Sequence, residues 1–288
     1  RDSRLSRGLG DVYKRQILKF DVAALHKQRN KILNKPNLIG VGAGRCGTTS
    51  LYQYLAAHKD VYMSPVKEIN YFGIRNTEKN KYGITFREYL YYFMGAESQK
   101  CIGEISPIYL GIPECASLIN EKLGNIKILI TIRDPIERMI SHYKHHLDKH
   151  QINDLNEYCE KGLKILRDHE EKKYQLNWFH PVKNMTQSLY FEGVKRYIQQ
   201  FGKENVLIIT YDQLKKHSKV VLKEINQFLA IEDVEQELYK ANSSPKDRDK
   251  DFQLNRETMK ELLEKFNEDL AKLDELTGLK TTHWLEKY

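Results

Sequence analysis

The sequence contains few cysteines, glycines and prolines, and it has no long apolar run. Its 288 residues include four cysteines, which form no C-x-x-C pair and no Cys/His cluster, so we expect neither a disulfide scaffold nor a structural metal site. No apolar run approaches the roughly 20 residues of a membrane span, and no secretory signal is visible. With 16 Gly and 7 Pro the composition is not that of a linker or collagen. These absences predict a globular enzyme in the reducing cytoplasm.

The formal net charge of +8 is unevenly distributed. Residues 1–16 (RDSRLSRGLGDVYKRQ) hold five basic and two acidic residues and show no apolar period, so we predict a non-native or disordered tail followed by a single domain over 17–288. The remaining excess is modest and accompanies no nucleic-acid motif, so no nucleic-acid partner is expected. That excess either attracts an anionic ligand or belongs to an ordinary charged surface.

Apolar runs alternate with helical patterns along the chain. Strands are predicted at 37–41, 100–105, 127–132 and 206–210, and helices at 48–58, at 190–201 and after residue 211. Proline favours the first helical turn, so helices are also expected after Pro135 and after Pro107 or Pro113. The order predicts an α/β fold, with a P-loop-type central parallel sheet flanked by helices and a helical C-terminal part. The polar region 145–185 is predicted to be a variable insertion, a helical hairpin plus a loop.

The strongest motif is residues 42–51, GAGRCGTTSL, between a predicted strand and a predicted helix. Glycines there permit a tight turn whose N–H groups face an anion. Compared with the Walker A pattern G-x-x-x-x-G-K-[ST], Thr48 stands at the lysine position and the cation lies within the loop as Arg45. With no clear acidic partner for magnesium either, this disfavours an ATPase or kinase. It favours a shorter nucleotide held by one 5′-phosphate.

A second motif, residues 132–143 (IRDPIERMISHY), follows another predicted strand. Arg133 stands at the strand end, where open α/β sheets bind ligands, and Ser141 lies two turns into the next helix. Because a guanidinium matches phosphate geometry, these two residues can form a second anion pocket. The alternative is that Arg133 pairs on the surface with Asp134 or Glu137.

Together the two motifs resemble the sulfotransferases that use 3′-phosphoadenosine 5′-phosphosulfate, in particular bacterial and heparan-modifying members. The first is similar to their 5′-phosphosulfate loop, and the second to their 3′-phosphate motif, R-(x)7-S. Spacing and order also agree, and the likeness extends from about Asn37 to Trp284. The resemblance implies that the phosphosulfate nucleotide is the donor and that adenosine 3′,5′-bisphosphate is the product. No metal is expected to be needed, because two cations and the loop N–H groups already offset the charge of the leaving group.

The resemblance also assigns roles to residues. Arg45 would contact the bridging oxygen between phosphate and sulfate; arginine keeps its charge, so its catalytic role would be electrostatic. Arg133 and Ser141 would hold the 3′-phosphate. The loop residues implied to bind the cofactor are Gly44, Cys46, Gly47, Thr48, Thr49 and Ser50. Lys246 and Arg248 would cover the cofactor, or form an exposed charged turn instead.

Residues 68–72 (EINYF) are similar to a segment of the glycan-modifying relatives. The resemblance makes Glu68 the base that takes a proton from the acceptor, a task helped by partial burial, which raises the pKa of a carboxyl. The alternative is a surface ion pair with Lys67. Lys67, His145 and His146 are predicted to contact the acceptor.

The resulting hypothesis is transfer of a sulfuryl group to a hydroxyl or amine of a glycan, a glycolipid or a small molecule. Two alternatives stay open: a magnesium-dependent P-loop kinase or NTPase, and a nucleotide-binding protein without turnover. The oligomeric state is not indicated by the sequence.

Overall fold

The computed structural model describes residues 33–73, 75–76, 79–80, 84–149, 152–169, 179–234 and 253–288. The strands are β1 (Leu38–Gly42), β2 (Val61–Met63), β3 (Arg75–Asn76), β4 (Lys79–Asn80), β5 (Cys101–Ile105), β6 (Lys127–Ile132) and β7 (Val206–Thr210). The helices are α1 (Thr48–Ala56), α2 (Phe86–Leu90), α3 (Cys115–Leu123), α4 (Pro135–His145), α5 (Leu155–Arg167), α6 (Pro181–Thr186), α7 (Phe191–Phe201), α8 (Tyr211–Lys216), α9 (Ser218–Phe228) and α10 (Arg256–Thr277). Short 3-10 turns lie at Tyr91–Phe93, Tyr109–Gly111, Leu147–Lys149, Lys203–Asn205 and Thr282–Leu285.

Five strands form one parallel sheet in the order β2-β5-β1-β6-β7, and β3 and β4 form a small antiparallel pair. The predicted fold class is therefore confirmed, including the mostly helical part after β7. The four predicted strands occur within about one residue of their expected limits. Strand β2 was not predicted, because three residues are too few to show a period. Pro113 precedes helix α3, whereas Pro107 precedes only the 3-10 turn Tyr109–Gly111.

The sheet separates two apolar cores. In β6, Ile128 and Ile130 join the core formed with α3, α7 and α10, while Leu129 joins the core formed with α1 and α9. Successive residues of a strand point to opposite faces, so a strand covered on both sides must be apolar throughout. This explains the isoleucine-rich run that marked β6 in the sequence.

Helices α4, α5 and α10 share a third core with α6, built around Met139, Tyr158, Met185 and Phe266. Helix α5 lies in the region 145–185 that was predicted to be an insertion, α6 ends one residue beyond it, and the two helices pack against each other. The intervening residues 170–178 lie outside the described residues, as do Lys246, Arg248 and the tail 1–16. The tail, the domain limits and the roles of these two basic residues stay predictions.

Candidate functional site

Four strand ends meet at one edge of the sheet. The register pairs Gly40 of β1 with Ile105 of β5, and Ile132 of β6 with Thr210 of β7. Because the strands are parallel, the segments that follow β5, β1, β6 and β7 emerge side by side. Both predicted phosphate motifs therefore begin at the edge where open α/β sheets bind ligands.

The loop after β1 is fixed to β6 by two hydrogen bonds. The Ala43 N–H donates to the Thr131 carbonyl at 2.6 Å, and the Thr131 hydroxyl donates to the Gly42 carbonyl at 3.2 Å. Further along, Arg45 and Gly47 adopt left-handed backbone angles, with φ of 70° and 82°. A Cβ atom on Gly47 would lie 2.8 Å from the ring of Tyr211. The turn therefore requires glycine at this position.

The loop leads directly into helix α1, with Gly47 as the residue before its first turn. Among the described residues no side chain caps this turn. The first N–H groups of a helix have no partner within the helix, and they favour an anion. The backbone geometry therefore fits the predicted phosphate group.

The loop side chains differ in where they lie. Cys46 is fully buried, with its sulfur 3.7 Å from the Gly44 carbonyl oxygen and 3.9 Å from the Tyr190 hydroxyl. Burial raises the pKa of the Cys46 thiol to about 11, so the group is a neutral part of the core. Thr48 is also buried, whereas Thr49 is exposed and Ser50 is half-buried. Only the backbone N–H of Cys46 is therefore suited to contact a phosphate.

The two phosphate motifs touch each other. The Arg45 Nε donates a hydrogen bond to the Ser141 hydroxyl at 3.1 Å, across 96 positions of sequence. Arg45 lies in the loop after β1, and Ser141 lies in helix α4, which follows β6. Residues predicted for two separate anion pockets are thus in direct contact.

Arg133 forms an ion pair with Glu137, which was the alternative to the phosphate contact expected from the sequence. Its guanidinium donates to Glu137 Oε2 from Nε at 3.1 Å and from Nη2 at 2.7 Å, and it lies 4.7 Å from the ring centre of Tyr211. Tyr211 therefore contacts both Gly47 and Arg133. Tyr211 was not predicted from the sequence, where its only signal is an aromatic side chain directly after a predicted strand.

Glu137 is shared by a second cation from the end of the described chain. Lys287 contacts Glu137 and lies 2.8 Å from Asp134 Oδ2. The Tyr288 hydroxyl also donates to Asp134, at 3.1 Å. One carboxylate therefore lies between Arg133 and Lys287.

Arg138 is a second residue to which the sequence analysis gave no role. It is fully buried and distributes its five N–H groups over five acceptors. Nε contacts the Gly44 carbonyl at 3.3 Å; Nη1 contacts the Asn184 carbonyl at 2.8 Å and the Ser188 hydroxyl at 3.0 Å; Nη2 contacts Asn184 Oδ1 at 3.1 Å and Gln187 Oε1 at 3.3 Å. Arg138 therefore ties the phosphate loop to the segment around α6.

Glu68 lies beside the same edge of the sheet. Its N–H donates to the Ile105 carbonyl at the end of β5, at 3.1 Å, and its φ of 63° is left-handed. The Lys67 ammonium lies 2.6 Å from Glu68 Oε1, and 40% of the Glu68 side chain is exposed. The ion pair with Lys67 is thus present, and solvent still reaches the carboxylate.

A buried carboxylate, Glu104, lies behind the Glu68 segment and was also missed. It accepts hydrogen bonds from the hydroxyls of Ser106 at 2.6 Å, Tyr109 at 2.9 Å and Tyr89 at 3.3 Å. Burial raises the pKa of Glu104 to about 7, with a further increase from the charge of Glu68. A glutamate two residues before the Ser-Pro pair was its only sequence signal.

The two histidines predicted to contact the acceptor lie at the end of α4. The ring centres of His145 and His146 are 4.6 Å apart, and His146 also contacts His142 at 4.7 Å and Phe179 at 5.2 Å. The three histidines therefore form a cluster on the helix that carries Ser141.

Comparison with known proteins identifies the class. Residues 35–272 match the sulfotransferase domain family, so the chain belongs to this family. A sulfotransferase from Alicyclobacillus acidocaldarius superposes with a TM-score of 0.69 and 26% identity, covering 88% of this chain and 99% of that one. The predicted family and enzyme class are therefore confirmed.

Curated relatives share lower identity. The membrane-associated sulfotransferase kil1 of Dictyostelium discoideum is 23% identical over 71% of this chain and 58% of its own length. Human heparan sulfate glucosamine 3-O-sulfotransferase 5 is 24% identical over 79% of this chain and 62% of its own length. The chain thus spans about three fifths of these relatives. No described helix has the length and apolar character needed to cross a bilayer. The cytoplasmic location stays a prediction.

Proposed function

We propose that this chain transfers a sulfuryl group from 3′-phosphoadenosine 5′-phosphosulfate to a hydroxyl or amine of a glycan-like acceptor. The observation that carries the proposal is the meeting of the two phosphate motifs, where Arg45 contacts Ser141 at 3.1 Å. A nucleotide with phosphate groups on both its 3′ and 5′ sides needs two anion sites at one edge of the sheet. The contact between the two motifs supports two adjacent anion sites of this kind.

In the proposed complex, the N–H groups at the start of α1 and the hydroxyls of Thr49 and Ser50 hold the 5′-phosphate. Arg133 and Ser141 hold the 3′-phosphate. Arg45, whose Nε donates to the Ser141 hydroxyl, offsets the negative charge that develops on the departing phosphate. These charges are fixed before reaction, so little reorganisation is needed as the transition state forms.

The phosphosulfate nucleotide supplies the sulfuryl group. Glu68 accepts the proton of the acceptor hydroxyl or amine as the acceptor atom bonds to sulfur and the bond from sulfur to the bridging oxygen breaks. The electron pair of that bond stays on the departing bisphosphate, beside Arg45. Lys67 contacts Glu68 Oε1, so the proton goes to Oε2.

A glycan-like acceptor is inferred from relatives such as the heparan sulfate glucosamine 3-O-sulfotransferase. Lys67 and the histidines at the end of α4 are proposed to contact it. A sugar hydroxyl is a poor nucleophile at neutral pH and requires a base in the site. Glu68 satisfies that requirement at the edge where the donor is proposed to bind.

Calorimetric titration with adenosine 3′,5′-bisphosphate, ADP and ATP, each with and without Mg²⁺, tests the donor class. We expect metal-independent binding, with the bisphosphate preferred over ADP. Magnesium-dependent preference for ATP would instead indicate a kinase or NTPase. Bisphosphate binding without sulfate transfer to any acceptor in a glycan panel would indicate a binding protein without turnover.

Labelled phosphosulfate tests the chemical step. Glu68→Gln should retain the bisphosphate affinity and lose about 100-fold or more in kcat, the usual scale for a general base. The matched control is Glu97→Gln, which changes an exposed glutamate away from the sheet edge. Wild-type turnover in Glu68→Gln would refute the base assignment.

A further inference from the structure

We propose that Glu104 is a positioning residue for catalysis, because its buried carboxylate orients the two hydroxyls that hold the segment carrying Glu68. The inference rests on the proposed role of Glu68 as the base. Glu104 is not proposed to contact the donor or the acceptor itself. Hydrogen bonds from residues 68–72 to β5 and to the segment that follows it support this role.

Alternate N–H groups of residues 68–72 are anchored on that strand end. The Glu68 N–H donates to the Ile105 carbonyl at 3.1 Å, the Asn70 N–H to the Ser106 hydroxyl at 2.9 Å, and the Phe72 N–H to the Tyr109 hydroxyl at 3.4 Å. Two of the three anchors are therefore hydroxyl groups. A hydroxyl accepts an N–H only when its own proton points elsewhere.

Glu104 accepts the protons of both hydroxyls. The Ser106 hydroxyl donates to Glu104 Oε2 at 2.6 Å, and the Tyr109 hydroxyl donates to Oε1 at 2.9 Å. Each hydroxyl has one proton, so donation to the carboxylate turns its lone pairs toward the backbone of residues 68–72. A neutral carboxyl or an amide at position 104 would bring a donor of its own into this network.

The anchored segment needs external support because its backbone is strained. Glu68 and Asn70 have φ of 63° and 55°, a left-handed conformation that asparagine tolerates but that is unfavourable for glutamate. Loss of the hydroxyl anchors would let these residues relax and move the Glu68 carboxylate. Displacement of a catalytic group by about 1 Å can cost roughly 100-fold in rate.

The ionised form of Glu104 is the one that accepts both hydroxyl protons. Burial raises the pKa of Glu104 to about 7, so its charge changes near neutrality. Among the described residues, the titratable groups around it are Glu68 with its partner Lys67, and Tyr89, Tyr92, Tyr109, Cys115 and Tyr197. Burial raises the pKa of each of these tyrosines and of the thiol above its ordinary value, so they stay neutral there. We therefore expect turnover to rise with pH as Glu104 ionises.

The test compares Glu104→Gln, Ser106→Ala and Tyr109→Phe, with Tyr143→Phe as the control. Tyr143 is an equally buried tyrosine whose hydroxyl donates to the Ile152 carbonyl at 3.4 Å, in the third core. We expect the three variants to lose about 10- to 100-fold in kcat for sulfate transfer. Their bisphosphate affinity should stay within about 2-fold of wild type, because the phosphate loop is untouched. The control should match wild type in both measurements.

Two further readouts separate positioning from folding. The acid-side decline of kcat near pH 7 should disappear in Glu104→Gln. Ser106→Thr, which keeps a hydroxyl, should recover much of the rate lost in Ser106→Ala.

Wild-type kcat and an unchanged pH profile in Glu104→Gln would overturn the proposal. If Glu104→Gln fails to bind bisphosphate, the single-hydroxyl variants decide, and wild-type rates in both would also overturn it. Wild-type turnover in Glu68→Gln would refute the base itself, whereas loss there combined with full activity in Glu104→Gln would refute only the positioning role.

Discussion

At the scale of single residues, Arg133 pairs with one anion, Glu137, in the described part of the chain and with a second, the 3′-phosphate, in the proposed complex. The Arg133 guanidinium donates two hydrogen bonds to the Glu137 carboxylate, with N–O distances of 3.1 and 2.7 Å. A 3′-phosphate would have to replace or share that contact. The affinity for the nucleotide therefore reflects a competition between two anions for one cation.

Replacing the cation should weaken binding of a nucleotide that carries a 3′-phosphate. Hydrogen bonds to charged groups contribute about 1.5–3 kcal/mol, so Arg133→Ala should weaken adenosine 3′,5′-bisphosphate by roughly 10- to 100-fold. ADP lacks the 3′-phosphate and should lose far less. Calorimetry on both ligands checks this, with Arg167→Ala as the control, since Arg167 pairs with Glu261 on the surface. Equal losses for the two ligands would exclude a 3′-phosphate contact.

Removing the competing carboxylate should have the opposite effect. Burial opposes ionisation of Glu137, yet hydrogen bonds from Lys287 and Arg133 lower its pKa, so it is charged at neutral pH. Glu137→Gln should therefore tighten bisphosphate binding by about 1.5- to 5-fold, because one ion pair no longer has to be broken. Glu121→Gln, which removes an exposed partner of Lys122, is the matched control. Weaker binding in Glu137→Gln would mean that this carboxylate orients Arg133 for the phosphate.

At the scale of helices and strands, Arg138 connects elements that are distant in the sequence. It reaches from α4 to the phosphate loop at Gly44 and to Asn184 and its neighbours around α6. The described structure gives its buried guanidinium five neutral acceptors. Satisfied polar networks of this kind fix the relative positions of the elements that they join.

Arg138→Met should cost about 3–5 kcal/mol of unfolding free energy, because several buried acceptors lose their donor at once. Urea denaturation measures the change. Arg167→Met, at an exposed ion pair, should change the unfolding free energy by less than about 1 kcal/mol. A loss below about 1 kcal/mol in Arg138→Met would show that water or rearranged side chains replace the guanidinium.

The elements that the sequence predicted correctly are those with a local signal. β6 shows an apolar run, and α4 begins with proline and an Asp134 side chain that accepts the N–H groups of Ile136 and Glu137. β2 has three residues, and its place beside β5 depends on pairing rather than on its own composition. Local patterns therefore predicted most of the fold and left the shortest strand of the parallel sheet unassigned.

The residues of the candidate site also divide into those with a local sequence signal and those without one. The loop 42–51 and the motif 132–143 are contiguous, and the four-residue spacing of Arg133 and Glu137 made their ion pair foreseeable. The contact between Tyr211 and Gly47, and the hydroxyls that surround Glu104, join residues that meet only after the sheet has formed. No spacing rule reports such contacts, so these residues could not be identified from the sequence.

At the scale of the whole molecule, two buried carboxylates oppose the stability of the fold near neutral pH. Burial raises the pKa of Glu104 from 4.5 to about 7 and that of Asp269 from 3.8 to about 6. Asp269, on α10, accepts the N–H groups of Tyr190 and Phe191 at the start of α7. Each folded carboxyl retains its proton at pH values where the unfolded chain has lost it. Stability from these groups is therefore full below the unfolded pKa values and declines until pH passes the folded ones.

This linkage predicts opposite pH trends for stability and turnover, both traced to Glu104. Between pH 5 and pH 8 the wild type should lose about 2–3 kcal/mol of unfolding free energy relative to Glu104→Gln, from about 1.4 kcal/mol per pH unit over the shifted interval. Over the same range its kcat should rise, because the ionised carboxylate that destabilises the fold is the form that orients the Ser106 and Tyr109 hydroxyls. Urea titrations at several pH values measure the first trend, with Glu97→Gln as an exposed control that should parallel the wild type. Parallel stability curves for the wild type and Glu104→Gln would show that Glu104 does not titrate in this interval, and any rise in kcat there would then belong to another group.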